Sequence, residues 1–287
     1  MDARLDDPAL ARLLGADPAR LAFWQAATGE LAAESAALER ALAEDILAAM
    51  GQVPAERLLA RRGPMLVRAA SRLRALAEGA PTGLRLGAGT VAEEPRRIRH
   101  AGFFAVEELE LRFRRFDGAM SPQVRREVFV GCDAITLLPW DPVRDRVLLV
   151  EQMRVAPLVR GEANPWQIEA VAGRIDPGET PEDAARREAL EEAGLSVGRL
   201  IKAAEYYPTT GAFSEYIYSY IGFCDLPDDA AGVHGVPGEA EDIRGHLLPF
   251  AEAMARARAG EFTCAPLLLS LLWLDGARER LRREAGI

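Results

Sequence analysis

The sequence predicts an α/β protein in which a helical N-terminal segment (residues 1–80) precedes a larger domain (81–287) that opens with an antiparallel β subdomain near residues 81–130. Three observations carry that expectation. Apolar residues recur at helical spacing up to about Leu76, the period then falls to two, and short continuous apolar runs finally alternate with a capped helix.

Taken in order, Leu21, Trp24 and Leu31, and then Leu38, Leu42, Ile46 and Leu47, place one face of successive helices inward. Gly63-Pro64-Met65 opens a further helix, with proline in its first turn. A Gly, Pro and Thr cluster from Gly79 to Gly89 breaks the pattern and marks the boundary. Beyond it Val106, Leu109, Leu111 and Phe113 alternate with charged residues, and Val124, Val128 and Val130 follow a turn at Asp117-Gly118, as in paired antiparallel strands. The runs Ala134–Leu138 and Val147–Val150 flank a turn at Trp140-Asp141-Pro142 and read as central strands buried on both faces. A helix follows Pro181, strands are expected near Tyr216–Phe223 and Ile243–Leu248, and a helical pair runs from Phe250 onward.

Composition narrows the function. The net charge of −9 argues against partners held by a basic face, so neither nucleic acid nor an anionic membrane surface is expected. Lys202 is the only lysine, and arginine is spread along the chain without forming a patch. Cys132, Cys224 and Cys264 are odd in number and far apart, which suggests neither a disulfide framework nor a zinc site. No basic-then-apolar leader opens the chain, and the apolar stretch at Leu267–Leu274 is too short to span a bilayer, so a cytoplasmic location is expected.

The chemistry is concentrated between Gly173 and Leu195. Thr180 is an N-cap with Pro181 at the first helical position and Asp183 two residues further on, and Gly194 is the C-terminal stop. On the helix between them Glu188, Glu191 and Glu192 stand at i, i+3 and i+4, three carboxylates on one face. Like charges at that spacing cost the helix a few tenths of a kcal/mol per pair, and neither Ala193 nor Ser196 offers a compensating base one turn on. Hard oxygen donors converging from one face suit Mg²⁺, with Mn²⁺ as a substitute.

Gly173, Glu179, Arg187-Glu188, Glu191-Glu192 and Gly194 also stand at the intervals of the Nudix box, and the stretch resembles that family at every fixed position, with Ala189 where a larger aliphatic residue is usual. The resemblance implies an α/β/α sandwich around a mixed sheet. It implies Glu188 and Glu192 as metal ligands with help from Glu191, and the Ala172 carbonyl as a further oxygen. A Glu179–Arg187 ion pair would fix the box loop against its helix. From about Gly102 onward the chain is similar to the bacterial ADP-ribose pyrophosphatases, most closely their tellurite-resistance-associated branch. Gly102-Phe103-Phe104, Phe116-Asp117-Gly118, Glu151-Gln152-Met153-Arg154, Asn164-Pro165-Trp166, Ser214-Glu215 and Gly235 to Arg244 carry the likeness.

That likeness implies a small nucleoside diphosphate substrate, ADP-ribose, split to AMP and ribose 5-phosphate by a homodimer. The β subdomain would serve dimerisation and substrate contact. Phe103 and Arg126 would contact the adenine side, Arg154 phosphate or ribose, and Glu215 the terminal ribose. Glu239 would be the general base and Glu241 would support the metal, both in a Gly- and Pro-rich loop before a strand. Thr210 stands where these enzymes usually have proline, which leaves another nucleotide sugar or a dinucleotide open as substrate. A non-catalytic ADP-ribose-sensing regulator is the rival of another class, opposed by the intact box carboxylates.

Overall fold

A computed structural model gives the structure of the chain and describes residues 3–29, 34–78, 91–93, 96–236, 238 and 240–287. Contacts divide it into two compact units, residues 1–132 with 209–215, and residues 133–208 with 216–287. The boundary expected between residues 80 and 81 lies outside the described residues, as do Leu31, Glu239 and the cluster from Gly79 to Gly89.

Among the described residues the first unit opens with a 3-10 turn at Ala3–Asp6 and continues with the α-helices α1 (Pro8–Leu14), α2 (Pro18–Thr28), α3 (Ala36–Ala48), α4 (Ala55–Leu59) and α5 (Arg62–Glu78). Asp7, Asp17 and Ser35 cap the first three, each side chain accepting a backbone N–H. The helical spacing seen in the sequence becomes a core of Trp24, Leu38, Leu42, Ile46, Leu58 and Met65. Full burial of a large apolar side chain of this kind contributes roughly 1.5–3 kcal/mol.

Among the described residues four strands follow in the same unit, β1 (Val91–Glu93), β2 (Arg97–Ala101), β3 (Ala105–Phe113) and β4 (Val124–Val130), with β3 paired antiparallel to the other three. Ile98 and Ala101 pack on the helical core, and Arg68 of α5 donates to the Phe103 carbonyl at 3.0 Å, so helices and strands form one unit. The expected inward alternation is overturned on β3, where the buried residues include Glu107 and Glu108. Arginines make this tolerable, with Arg99 bonded to Glu108 at 2.7 Å and Arg96 at 3.5 Å from Glu107.

The second unit is an eight-stranded mixed sheet. Its strands are β5 (Asp133–Asp141), β6 (Arg146–Met153), β7 (Trp166–Glu169), β8 (Val171–Arg174), β9 (Leu200–Tyr206), β10 (Tyr216–Phe223), β11 (Val233–His234) and β12 (Ile243–Pro249). The main path runs β11-β12-β6-β5-β10-β9, with β7 on β6 and β8 on β5, and β5–β10 is its parallel pair. Ile135, Leu137, Leu148 and Val150 face α7 (Pro181–Ala193), whereas Leu138, Trp140, Val147 and Leu149 face α8 (Phe250–Arg258) and α9 (Ala265–Glu284). Strict alternation inside an unbroken apolar run is what a strand covered on both faces requires. The result is the expected α/β/α sandwich, and a short α6 (Val155–Arg160) follows β6.

One turn is tied down with particular care. The buried carboxylate of Asp141 accepts from the backbone N–H groups of Val143 (2.9 Å), Arg144 (2.9 Å) and Leu226 (3.1 Å), and from the Arg144 guanidinium (2.7 Å). Burial pushes its pKa up, but these donors outweigh burial and hold it below the ordinary 3.8.

Candidate active site

The site is assembled where β8 runs into the box loop and α7. Thr180 caps α7 as expected, its hydroxyl accepting from Asp183 N–H at 3.1 Å, and Gly194 ends the helix at φ +65°. β8 pairs antiparallel with β5, Ile135 opposite Gly173 and Thr136 opposite Ala172, which carries the strand along the flank of α7.

Gly173 leaves room for the Glu188 carboxyl, which a larger residue would displace. A Cβ on its backbone would lie 1.8 Å from Glu188 Oε1 and 1.9 Å from Cδ, so the Glu188 carboxyl lies directly on the strand. Glu192 is 2% exposed. Its Oε2 accepts from Ala172 N–H at 3.0 Å, and Gln152 Nε2 reaches Oε1 at 3.4 Å. Burial pushes Glu188 up to about 7 against the opposing pull of Arg187, with Glu191 and Glu241 adding to the rise. Burial likewise pushes Glu192 up to about 8, partly offset by the Ala172 N–H and raised again by Glu188.

Arg187 organises the rest. Its guanidinium bonds both Glu179 oxygens at 2.9 and 3.0 Å, the Arg174 carbonyl at 2.9 Å, Glu188 at 2.6 Å and Glu191 at 3.1 Å. The loop-to-helix pair expected from the sequence therefore exists. Burial would raise Glu179, but Arg187 and the Asp176 N–H together hold it below its ordinary value, and the Glu179 bond in turn raises Arg187.

The three-carboxylate face differs from the expectation in one respect. Among the described residues no three His, Cys, Asp or Glu side chains gather closely enough to hold a metal ion. Arg187 draws Glu188 and Glu191 together, while Glu192 turns into the sheet toward Ala172. The compensating base sits inside the cluster, not one turn beyond it.

A model of the NUDIX domain matches residues 133–266. An ADP-ribose pyrophosphatase of Escherichia coli (strain K12) is 41% identical over 189 residues, which is 66% of this chain and 90% of that protein. The chain belongs to the Nudix family. Together these matches make it a Nudix hydrolase. An ADP-ribose pyrophosphatase of Haemophilus influenzae is 33% identical over 61% of this chain and 82% of its own length. A GDP-mannose pyrophosphatase of Escherichia coli O9:H4 is 32% identical over 62% of this chain and 92% of its own length. A crystal structure of an ADP compounds hydrolase shares the fold at TM-score 0.50 and 20% identity, covering 72% of this chain and 100% of that one.

Of the residues singled out in the sequence, Ala172, Gly173, Glu179, Arg187, Glu188, Glu191 and Glu192 meet in this Nudix site. Arg154, at the start of α6, adds a positive charge felt by Glu192, and its guanidinium bonds Glu169 Oε2 at 2.7 and 2.8 Å. Glu241 accepts from Val236 N–H at 3.1 Å and its charge is felt by Glu188. Glu239 lies outside the described residues. Phe103, Arg126 and Glu215 belong to the first compact unit, where Phe103 is half exposed, Arg126 is exposed on β4, and Glu215 lies beside Gly131. Sequence reasoning missed Gln152 and Glu169 as partners of Glu192 and Arg154. Their signal was adjacency to Arg154 and to the Asn164-Pro165-Trp166 stretch.

Proposed function

We propose that the chain hydrolyses the diphosphate of ADP-ribose to AMP and ribose 5-phosphate with Mg²⁺, Mn²⁺ serving as a substitute. The observation that carries the metal requirement is the pair Glu188 and Glu192, the first half-buried and pressed onto Gly173, the second buried against Ala172, with Arg187 as the cation in contact with Glu188. Burying charged carboxylates without compensation is costly, and a divalent cation with oxygen preference is the ligand that suits such a donor set. Glu188, Glu191 and Glu192, divided between Arg187 and the Ala172 amide as they stand, would have to close together to hold it, with the Ala172 carbonyl and Glu241. When bound, the cation neutralises charge on the diphosphate and lowers the pKa of water.

The remaining roles fall to the chain itself. Glu239 would take the proton of the attacking water, Arg154 would bind phosphate or ribose once released from Glu169, and Arg187 would keep Glu188 and Glu191 in register by its hold on Glu179. Phe103 and Arg126 would receive the adenine side and Glu215 the terminal ribose. The names of the relatives at 41% and 33% identity support ADP-ribose. We place the chain nearest the tellurite-resistance-associated branch on its sequence motifs, and we infer a cytoplasmic homodimer whose β subdomain, with Phe104, Phe116 and Phe129 exposed, serves contact between copies.

A second reading, a different nucleotide sugar, is favoured by the relative named GDP-mannose pyrophosphatase and by Thr210 in place of the usual proline. A panel of ADP-ribose, GDP-mannose, other nucleotide sugars and dinucleotides assayed with Mg²⁺ separates the two. ADP-ribose should give the highest kcat/KM. A tenfold preference for any other compound overturns the assignment, and no turnover of any of them overturns both readings.

A further inference from the structure

We propose that Gly235 is a positioning residue for Glu241, a latch that ties the root of the loop before β12 to the backbone of the box helix. The inference rests on the reading of Glu241 as a support for the metal. Three contacts make the latch. Gly235 N–H donates to the Glu191 carbonyl at 3.1 Å, so the loop is fastened to the same residue whose side chain belongs to the acidic face. Val236 N–H donates to Glu241 Oε2 at 3.1 Å, which ties the residue after Gly235 to the Glu241 carboxylate. Gly245 N–H donates to the Gly232 carbonyl at 2.7 Å, and Val233 and His234 pair with Arg244 and Ile243, so both ends of the loop leave one strand pair.

Glycine is required at 235 for two separate reasons. Its φ of +115° is one that other residues rarely adopt. A Cβ there would also lie 2.8 Å from the Cβ, 2.9 Å from the carbonyl oxygen and 3.0 Å from the carbonyl carbon of Glu241. The atom that substitution adds would therefore push directly on Glu241. His234 reinforces the anchor. Its ring fills the space left by two other glycines, for a Cβ at Gly194 would come within 2.8 Å of the ring and one at Gly232 within 2.7 Å. The glycine that ends the box helix thus has a second task, receiving the residue next to the latch. The charge of Glu241 is already felt by Glu188, so a shift of the loop is a shift of a charge at the acidic face.

The test measures Mn²⁺ binding to the metal-free protein by electron paramagnetic resonance, alongside kcat and KM for ADP-ribose. Gly235→Ala is expected to weaken Mn²⁺ binding about tenfold, as loss of a group that orients a ligand does, and to lower kcat while KM changes less than about twofold. Adding it to Glu241→Gln should cost nothing more, because both remove the same placed carboxylate. Gly238→Ala is the control for general loop stiffening, since a Cβ there meets nothing within 4 Å. Equal weakening in that control overturns the proposal. If Glu241→Gln weakens Mn²⁺ binding and Gly235→Ala does not, the latch falls and the metal role stands. If Glu241→Gln leaves binding unchanged, both fall. Should Gly235→Ala not fold, His234→Ala carries the test. It should weaken binding in the same direction, and wild-type affinity with a wild-type melting temperature refutes the latch.

Discussion

Substituting Gly173 by alanine separates the fold from the site, because the new methyl group meets one side chain that can move and one function that cannot. The added Cβ would lie 1.8 Å from Glu188 Oε1, 1.9 Å from Cδ and 2.6 Å from Cγ. To regain van der Waals contact near 3.5 Å the carboxylate must retreat by more than about 1.5 Å. Gly173 has no positive φ, so alanine can occupy the backbone without strain there. The cost to stability is then that of forcing Glu188 into a poorer rotamer, about 0.5–1.5 kcal/mol. For a chain of this size that lowers Tm by only a few degrees. Activity responds differently, since a displacement of about 1 Å in a positioned group costs on the order of 10²-fold, ~2.7 kcal/mol in the barrier. Thermal melts monitored by circular dichroism, paired with kcat for ADP-ribose at saturating Mg²⁺, read both numbers. A folded Gly173→Ala protein with more than about a tenth of wild-type kcat would refute the claim that Glu188 must lie on this strand.

Other expectations follow from the same geometry. Glu192→Gln keeps the side-chain shape and the acceptor for Ala172 N–H, so it should fold normally yet lose at least about 10² in kcat; retention of a tenth of the activity would remove Glu192 from the metal set. Glu239→Gln should depress kcat by roughly 10²–10⁴ with little change in KM, whereas Glu241→Gln should raise the Mg²⁺ concentration for half-maximal rate; metal dependence that moves with Glu239 instead would reverse the two roles. Asp141→Asn should destabilise the second unit by about 1–3 kcal/mol. Because the folded pKa of Asp141 lies below its unfolded value, its contribution is complete above about pH 4 and is lost as pH falls through the folded pKa. Denaturant melts from neutral pH down to about pH 2 should therefore show wild type and variant converging in acid, and parallel curves would contradict this.

Much of the fold was legible because it is written in short-range order. The switch from helical spacing to alternation announced β3 and β4, and Thr180, Pro181 and Gly194 bounded α7 within a residue. β7, β8, β9 and β11 were not legible. β8 is four residues long and is a strand because β5 offers it a partner, and β11 is two residues set by β12. The burial of Glu107 and Glu108 was equally hidden, since it depends on arginines nine to eleven residues away coming to lie opposite them.

By itself the sequence determined the chemistry available: which carboxylates share the helix face at positions 188, 191 and 192, and which glycine stops that helix. Those properties follow from helix periodicity and charge, and both act over a turn or two. Tertiary structure alone decided how the carboxylates divide. Glu188 is pressed onto Gly173 and held by Arg187, while Glu192 turns to the Ala172 amide. That division depends on where β8 runs relative to α7, a matter of packing between segments that periodicity in one segment does not encode.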